Sequence, residues 1–441
     1  MKLIELPTPL SPMPEFLPSG ASAADCIRAA LRNHRAWFSE TCLAGGGAVL
    51  KDNGVVYLTV GEKTERGGVI AFPTLKTATA GETLDRILAY YRSGRPEDGS
   101  GGSVAVWATV PTRPRDLGSR LLARGFEWGW QPHWMAADLH VPVVDFPLSE
   151  NLRIAVDDEA QWDVADLPYY SPDEVTKLRA IARHRPRRMW HFGAWLNDQL
   201  VGHSILFLTT GRYGVAGIYS VGVTPSTRKQ GVGRAVTLAA CQFARALGAN
   251  YALLNAATDI YSRIGFVSLG YGQTWWMHDR MFARPAPTPF EVAFVEALGR
   301  GDLSALNALP PDALPSDWDA PLLCGHTPIE ITVKTRQPRS ARWLERHSAT
   351  VTLVDAWDLG WKSRVRRTVA SQPKSGEEFS IQGVRTPLHE AAGRGDCELL
   401  SVLLAGRPNL TLRDRQYNGT PLNWAEIYRH NDAAQLIRDA S

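Results

Sequence analysis

Thr224-Pro225-Ser226-Thr227-Arg228-Lys229-Gln230-Gly231-Val232-Gly233-Arg234-Ala235 is the stretch on which the rest of the chain turns. Ahead of it, Ala216-Gly217-Ile218-Tyr219-Ser220-Val221-Gly222-Val223 alternates β-branched and aromatic residues with small ones, the pattern of a strand. Behind it, Val236, Ala240, Phe243 and Leu247 recur at steps of four, three and four before Gly248, which predicts a helix with one apolar face and a glycine stop. The stretch is therefore the end of a strand, a short turn and the first turn of a helix. A helix start leaves about four backbone N–H groups without helical partners and carries partial positive charge, so it attracts anions. Gly231 and Gly233 keep Cβ atoms out of a ligand's way, and Arg228, Lys229 and Arg234 add positive charge around the same point. A phosphorylated ligand suits such a turn. Neither the Walker spacing Gly-x-x-x-x-Gly-Lys-Ser/Thr nor the dinucleotide spacing Gly-x-Gly-x-x-Gly is met here.

The spacing Arg-x-x-Gly-x-Gly, after a strand ending Val-x-Val-x-Pro, resembles the acetyl-CoA pyrophosphate loop of the GCN5-related N-acetyltransferase (GNAT) superfamily. A second strand follows the helix, Tyr251-Ala252-Leu253-Leu254-Asn255. Then comes Tyr261-Ser262-Arg263-Ile264-Gly265-Phe266, which resembles the family's Tyr-x-x-x-Gly-Phe signature. The resemblance implies that an amine attacks the thioester of acetyl-CoA directly, with no acyl-enzyme and no metal. It implies that backbone N–H groups around Val221 and Val223 hold the acetyl group and pantetheine. Arg228, Lys229, Gln230, Gly231, Val232, Gly233 and Arg234 would hold the pyrophosphate, Asn255 would touch the pantetheine arm, and Tyr261 would be the general acid. A phenol with a pKa near 10 is still protonated at neutral pH and can give its proton to a thiolate.

The general base is left open. From Leu200 through Thr258 there is no Asp or Glu. Deprotonation falls to Asp259, to an acid between 157 and 174, to His191 or His203, or to ordered water. A site short of carboxylates fits a polycationic acceptor poorly, because each buried ammonium without a counter-charge costs several kcal/mol. Tyr219 on the motif strand and Trp190, Trp195, Trp275 and Trp276 are the residues expected around the acceptor. The expected acceptor is a small, weakly charged amine, a class that includes some antibiotics and amino-acid-like metabolites. The competing reading is an interaction protein that binds acyl-CoA without turning it over.

With 441 residues, 44% hydrophobic and 21% charged, the chain is long enough for two to four globular domains. A formal net charge of +3 exerts no overall pull toward nucleic acid or an anionic membrane. The five cysteines (Cys26, Cys42, Cys241, Cys324, Cys397) are scattered, with neither Cys-x-x-Cys nor zinc-ligand spacing. They read as free thiols of a reducing cytoplasm. The first residues are proline-rich and lack the apolar core of a signal peptide, and no run approaches the ~18 apolar residues of a membrane span.

Residues 1–20 form a Pro-rich arm. Residues 21–148 are expected as a degenerate GNAT-like α/β domain: Leu117 to Phe126 and the aromatic strand to Leu139 resemble the closing half of the fold, yet the segment has no Arg-x-x-Gly-x-Gly loop. Residues 149–283 are the expected catalytic domain, with antiparallel strands over 189–196, 199–209 and 213–223. The combination resembles tandem GNAT proteins of mixed-sheet architecture whose first copy no longer binds acetyl-CoA. After a linker at 284–289, Thr386-Pro387-Leu388-His389-Glu390-Ala391-Ala392 resembles the ankyrin signature and Thr420-Pro421-Leu422-Asn423-Trp424-Ala425 repeats it. Residues 290–441 are thus expected as roughly four all-α ankyrin-type repeats, with Asp355 to Trp361 as a turn between repeats. Such a module points to a protein partner or self-association, or equally to recruitment of a protein acceptor whose amine is acetylated.

Overall fold

The computed structural model describes residues 3–60, 67–93, 95, 101–142, 148–159, 166–256, 259–379 and 383–440. The chain divides into two compact units: Met1–Arg115 with Glu127–Ala283, and Asp116–Phe126 with Arg284–Ser441.

In the first unit the N-terminal arm is extended and anchored. Ile4, Phe16 and Leu17 are buried, Leu3 N donates to Gln242 Oε1 at 3.0 Å, and Leu17 N donates to Gly214 O at 2.8 Å. Helix α1 (Ala23–Ala44) starts at Ser22, whose hydroxyl accepts from Asp25 N at 3.2 Å. Then come β1 (Val49–Asp52), β2 (Val55–Val60), β3 (Gly67–Ala71), α2 (Ala80–Arg92) and β4 (Val104–Ala108). Asn53 and Gly54, both with positive φ, make the β1–β2 turn. The chain next places α3 (Leu117–Leu122) in the second unit and returns with β5 (Glu127–Trp128) and β6 (His133–Asp138). The remainder of the first unit is β7 (Leu152–Val156), α4 (Pro172–Ala182), β8 (Met189–Leu196), β9 (Gln199–Leu208), β10 (Ala216–Val223), α5 (Val232–Ala246), β11 (Tyr251–Ala256), β12 (Val267–Tyr271), β13 (Gln273–Met277) and α6 (Asp279–Phe282).

These strands form two mixed sheets, ordered β1-β2-β3-β4-β13-β5 and β12-β6-β11-β10-β9-β8-β7. Both sheets repeat one plan. Three antiparallel strands (β1-β2-β3, β8-β9-β10) lead to one parallel step (β3-β4, β10-β11), with α2 or α5 as the crossover that a parallel step needs. The fifth place in each plan is filled from elsewhere in the chain. β6 lies between β11 and β12, pairing Asn255 with Trp134, and β13 lies between β4 and β5, pairing Trp275 with Val106 and Trp128. The boundary expected at 148/149 falls between β6 and β7, and strands cross that line in both directions. Helix α5 covers one face of the second sheet, where Val236, Ala240 and Phe243 pack with Phe192, Leu206 and Ile218. Helices α1 and α4 cover the other.

The second unit is helical: α7 (Pro289–Arg300), α8 (Leu303–Ala308), α9 (Pro328–Lys334), α10 (Pro338–Arg346), α11 (Leu353–Asp358), α12 (Lys362–Ser371), α13 (Pro387–Arg394), α14 (Cys397–Leu404), α15 (Pro421–Ile427) and α16 (Asn431–Asp439). Among the described residues these make five helix pairs, where roughly four repeats were expected. Each pair opens on a threonine N-cap, Thr288, Thr327, Thr352, Thr386 or Thr420, whose hydroxyl accepts from a backbone N–H three residues on. The cap at Thr352 explains one correction: 355–361 is no turn between repeats. Thr352 and Asp355 form a capping box that starts α11, and Trp357 is buried with its Nε1 donating to Asp396 Oδ2 at 2.9 Å. The α3 segment is held here by charge. Arg124 Nη1 lies 2.8 Å from Glu296 Oε1, and Arg300 Nη1 lies 3.0 Å from Glu296 Oε2.

Candidate active site

Strands β10 and β11 pair only at Ala216–Ala252 and Gly217–Leu253, at the base of β10. Beyond that the two part. The register of β10 against β9 slips between Tyr219 and Gly222, and Ser220 sits at φ 48, so the strand bulges where it leaves its neighbour. A bulge at a parting of parallel strands leaves backbone amides turned toward a wedge rather than into a ladder. Val221 and Val223 flank that wedge. Their side chains are half-buried and pack on the core beneath α5.

The turn at the top of β10 sets the start of α5. Thr224 N donates to Val201 O at 2.9 Å, and the Thr224 and Thr227 hydroxyls lie 2.8 Å apart, which fixes the exit of the strand. Lys229 (φ 67) and Gly231 (φ 83) both take the left-handed conformation, which reverses the chain into the helix. Gly231 is the N-cap and no side chain caps α5. The first bond of the helix runs from Ala235 N to Gly231 O at 2.9 Å, so the amides of Val232 and Gly233 come before it. A Cβ on Gly233 would meet only Val223 Cγ2 at 3.4 Å and Ile260 Cδ1 at 3.9 Å. The protein itself does not need glycine there, so space is left over a helix start. Arg228, Lys229 and Gln230 are exposed around it. Val232 differs from the others: its side chain is buried under the helix, beside Gly202, and only its amide is available. Uncapped amides, a glycine with room above it and flanking cations fit a diphosphate.

Tyr261 stands in a short 3₁₀ turn, Asp259–Ile264, directly after β11. Its ring packs edge-on to Phe266 at 6.0 Å, and Phe266 N donates to Tyr261 O at 3.1 Å. Burial, with Tyr169 adding to it, pushes the phenol up to about 12, so it holds its proton at neutral pH. Ile260, next in the chain, is the residue that reaches toward Gly233. The side chain of Asp259 lies outside the described residues.

The sequence did not foretell what covers the wedge on the face away from α5. Tyr219 and Asn255 each stand two residues past the last β10–β11 pair and so point to the same face as Gly217 and Leu253. Tyr219 Oη donates to Asn33 Oδ1 of α1 at 2.6 Å, and the Tyr219 ring stacks on Trp37 at 5.0 Å. Asn255 Nδ2 lies 3.5 Å from His34 Nδ1, so its side chain faces α1.

Trp190 and Trp275 are not brought to this place. Trp190 is buried on the α5 face against Phe243 at 5.7 Å, and Trp275 belongs to β13 in the other sheet, against Trp128. Both are apolar bulk in a core. His191 and His203 meet each other, His191 Nε2 and His203 Nδ1 being 3.1 Å apart. Their outer nitrogens face Asp157 O at 2.8 Å and Pro168 O at 2.7 Å. Burial lowers both, His203 to about 4 with His191 adding to the effect. All five cysteines are free. Among the described residues no cluster of His, Cys, Asp or Glu could hold a metal, and no helix is long and apolar enough to cross a membrane.

A bulged β-strand parting from its parallel neighbour, with an uncapped, glycine-bearing helix start at its end, is the centre of an α/β domain. Residues 155–266 match the family model "Acetyltransferase (GNAT) family", and residues 385–415 match that of the ankyrin repeat. The chain thus carries a GNAT acetyltransferase domain and an ankyrin repeat. Among solved structures it is similar to a GCN5-related N-acetyltransferase from Kribbella flavida (20% identity, 56% of this chain and 95% of that one, TM-score 0.40). It is also similar to a GCN5-related N-acetyltransferase from Sphaerobacter thermophilus (16%, 60% and 97%, 0.39) and to a tandem GNAT protein from the clavulanic acid biosynthesis pathway (13%, 60% and 98%, 0.38).

Proposed function

We propose that this protein transfers an acetyl group from acetyl-CoA to the amine of a small molecule. The observation that carries the proposal is the parting of β10 and β11 beyond Gly217 and Leu253, with the glycine-bearing start of α5 at its mouth. Arg228, Lys229, Gln230, Gly233 and Arg234, with the amides of Val232 and Gly233, would hold the pyrophosphate. The amides of Val221 and Val223 would align pantetheine and polarise the acetyl carbonyl. Acetyl-CoA supplies the activated acyl group. The amine lone pair forms the new C–N bond, the C–S bond breaks, and Tyr261 Oη gives its proton to the departing sulfur. The proton shed by the amine nitrogen returns to Tyr261 or to solvent, which balances the step. Residues 149–283, with β6 supplied from 21–148, would be the catalytic domain. The turn between β3 and α2, Phe72 to Thr79, has neither glycine nor arginine, so the first sheet would not bind the coenzyme.

The helical unit would serve a protein partner or a second copy of the chain. It contains a cleft of about 710 Å³ lined by Asp319, Glu330, Asp355, Glu390, Arg364 and Arg394, among others.

Thiol release from acetyl-CoA is the test, measured across a panel of aliphatic and aromatic amines with Gly231→Glu as the blank. Amine-dependent release in the natural protein and none in the variant is expected. Calorimetry showing no heat with acetyl-CoA would overturn the reading.

A further inference from the structure

His34 is the most unusual polar residue of the first unit. It lies in the middle of α1, 4% exposed, and its Nε2 has no hydrogen-bond partner. Five aromatic rings surround it: Phe38 at 4.3 Å, Trp107 at 4.9 Å, Tyr219 at 5.2 Å, Trp134 at 5.3 Å and Phe72 at 5.9 Å between ring centres. None of these rings can satisfy an imidazole nitrogen with a full hydrogen bond. A buried polar atom without a partner is destabilising, and native chains retain one mainly where something else requires it.

Its place in the fold is specific. His34 sits over the parting of β10 and β11, in contact with Tyr219 on one strand and Asn255 on the other. These two residues are the first on this face beyond the last β10–β11 pair. The coenzyme would approach from the α5 side, and His34 lies on the opposite face of the parting. Burial lowers its pKa to about 3, so the ring is neutral at any working pH. A neutral imidazole neither repels an amine nor draws in a polycation. Asn255 faces Nδ1 with Nδ2, which donates; turning its carboxamide over puts the acceptor Oδ1 there instead.

We propose that His34 is the residue that receives the acceptor. With the Asn255 carboxamide turned so that Oδ1, in place of Nδ2, accepts from Nδ1–H, the bare Nε2 accepts an N–H of a neutral amine, and the nitrogen lone pair stays free for the thioester carbon. The surrounding rings would take the apolar body of the acceptor, which sets its class as a primary amine on an aromatic or aliphatic group. His34 comes from the segment that carries no coenzyme loop, so that segment would contribute to the reaction rather than only support it. The inference rests on the acetyl-transfer reading and names the acceptor side of the same site.

The test uses the full chain and 2-phenylethylamine as the probe amine. Adding the amine should move the His34 Cε1–H signal in a proton–carbon spectrum of histidine-labelled protein, and His34→Phe should remove that signal. His34→Phe should also melt at or above the temperature of the natural protein, because an unsatisfied polar atom is gone. Its heat of binding to CoA should stay within twofold, while kcat/KM for 2-phenylethylamine falls at least 100-fold. His34→Gln, which restores an acceptor atom, should recover part of that loss. An unmoved His34 signal at saturating amine, or full kcat/KM in His34→Phe, overturns the inference. Loss of coenzyme binding by the natural protein would count against acetyl transfer instead, and the spectral response to the amine would still decide the role of His34.

Discussion

A methyl group would have opposite consequences at Gly231 and Gly233. Gly231 is held at φ 83, where an L-residue is strained, so Gly231→Ala should destabilise the protein by about 1 kcal/mol. Gly233 has an ordinary helical conformation and free space, so Gly233→Ala should leave stability unchanged or raise it by up to about 1 kcal/mol. Urea unfolding would measure both. If a diphosphate lies over α5, the Gly233 variant should still lose at least tenfold in acetyl-CoA affinity by calorimetry. The buried imidazoles give a second prediction. Folding lowers His34 to about 3 and His203 to about 4 from an ordinary value near 6.5. The folded state therefore binds fewer protons between these limits, so stability is complete above about pH 6.5 and falls as pH drops toward 4. Melting temperature recorded at pH 7.5, 6 and 5 should decline, and His34→Phe should flatten the decline. The glycines were legible in the sequence because their spacing is local. His34 was not, because its neighbours Phe72, Trp107, Trp134, Tyr219 and Asn255 are scattered along the chain and only the fold gathers them.

At the scale of elements, Asn33 makes several of the hydrogen bonds that tie α1 to the second sheet. Asn33 Nδ2 lies 3.0 Å from Phe207 O, 3.1 Å from Thr209 Oγ1 and 3.2 Å from Val215 O, while Oδ1 accepts from Tyr219. Asn33→Leu would leave several buried polar groups without these bonds, at about 3 kcal/mol or more in total. Chemical denaturation should show that loss, and an unchanged midpoint would mean that water or rearrangement replaces the asparagine. Strands β8, β9 and β10 and helix α5 follow from alternation and from the four-three-four spacing, since each pattern is complete within its own segment. The sequence signal of α11 is a cap, Thr352 with Asp355, which the tryptophans and glycine that follow obscure. Trp190 and Trp275 were misplaced for a related reason. Nothing local distinguishes a tryptophan that lines a cavity from one that fills a core, and both face the interior of a sheet layer.

For the whole molecule, the exchange of β6 and β13 decides what can be separated. A fragment of residues 149–283 lacks β6, so β12 would have no neighbour and β11 would be an open edge. Such a fragment should be insoluble or molten, with weak near-ultraviolet dichroism and no acetyl-CoA binding. Adding residues 1–148 in trans should restore a folded complex if the exchange is as described. A well-folded, coenzyme-binding 149–283 fragment would show that β6 is dispensable. The sequence showed two α/β halves and a repeat region, because each half carries its own succession of strands and a crossover helix. It could not show the exchange, since β5-β6 and β12-β13 look like ordinary hairpin candidates and their partners lie more than 100 positions away.

The earlier half of the first unit thus leaves the ribosome unfinished. The earlier sheet must wait, with a gap between β4 and β5, until residue 277 has emerged from the exit tunnel, and by then the later one is also being completed. Synthesis, not only sequence, orders the assembly. A nascent chain stalled near residue 142 would expose an incomplete layer for as long as translation takes to supply its missing strand, which makes that interval the natural point for a chaperone to engage.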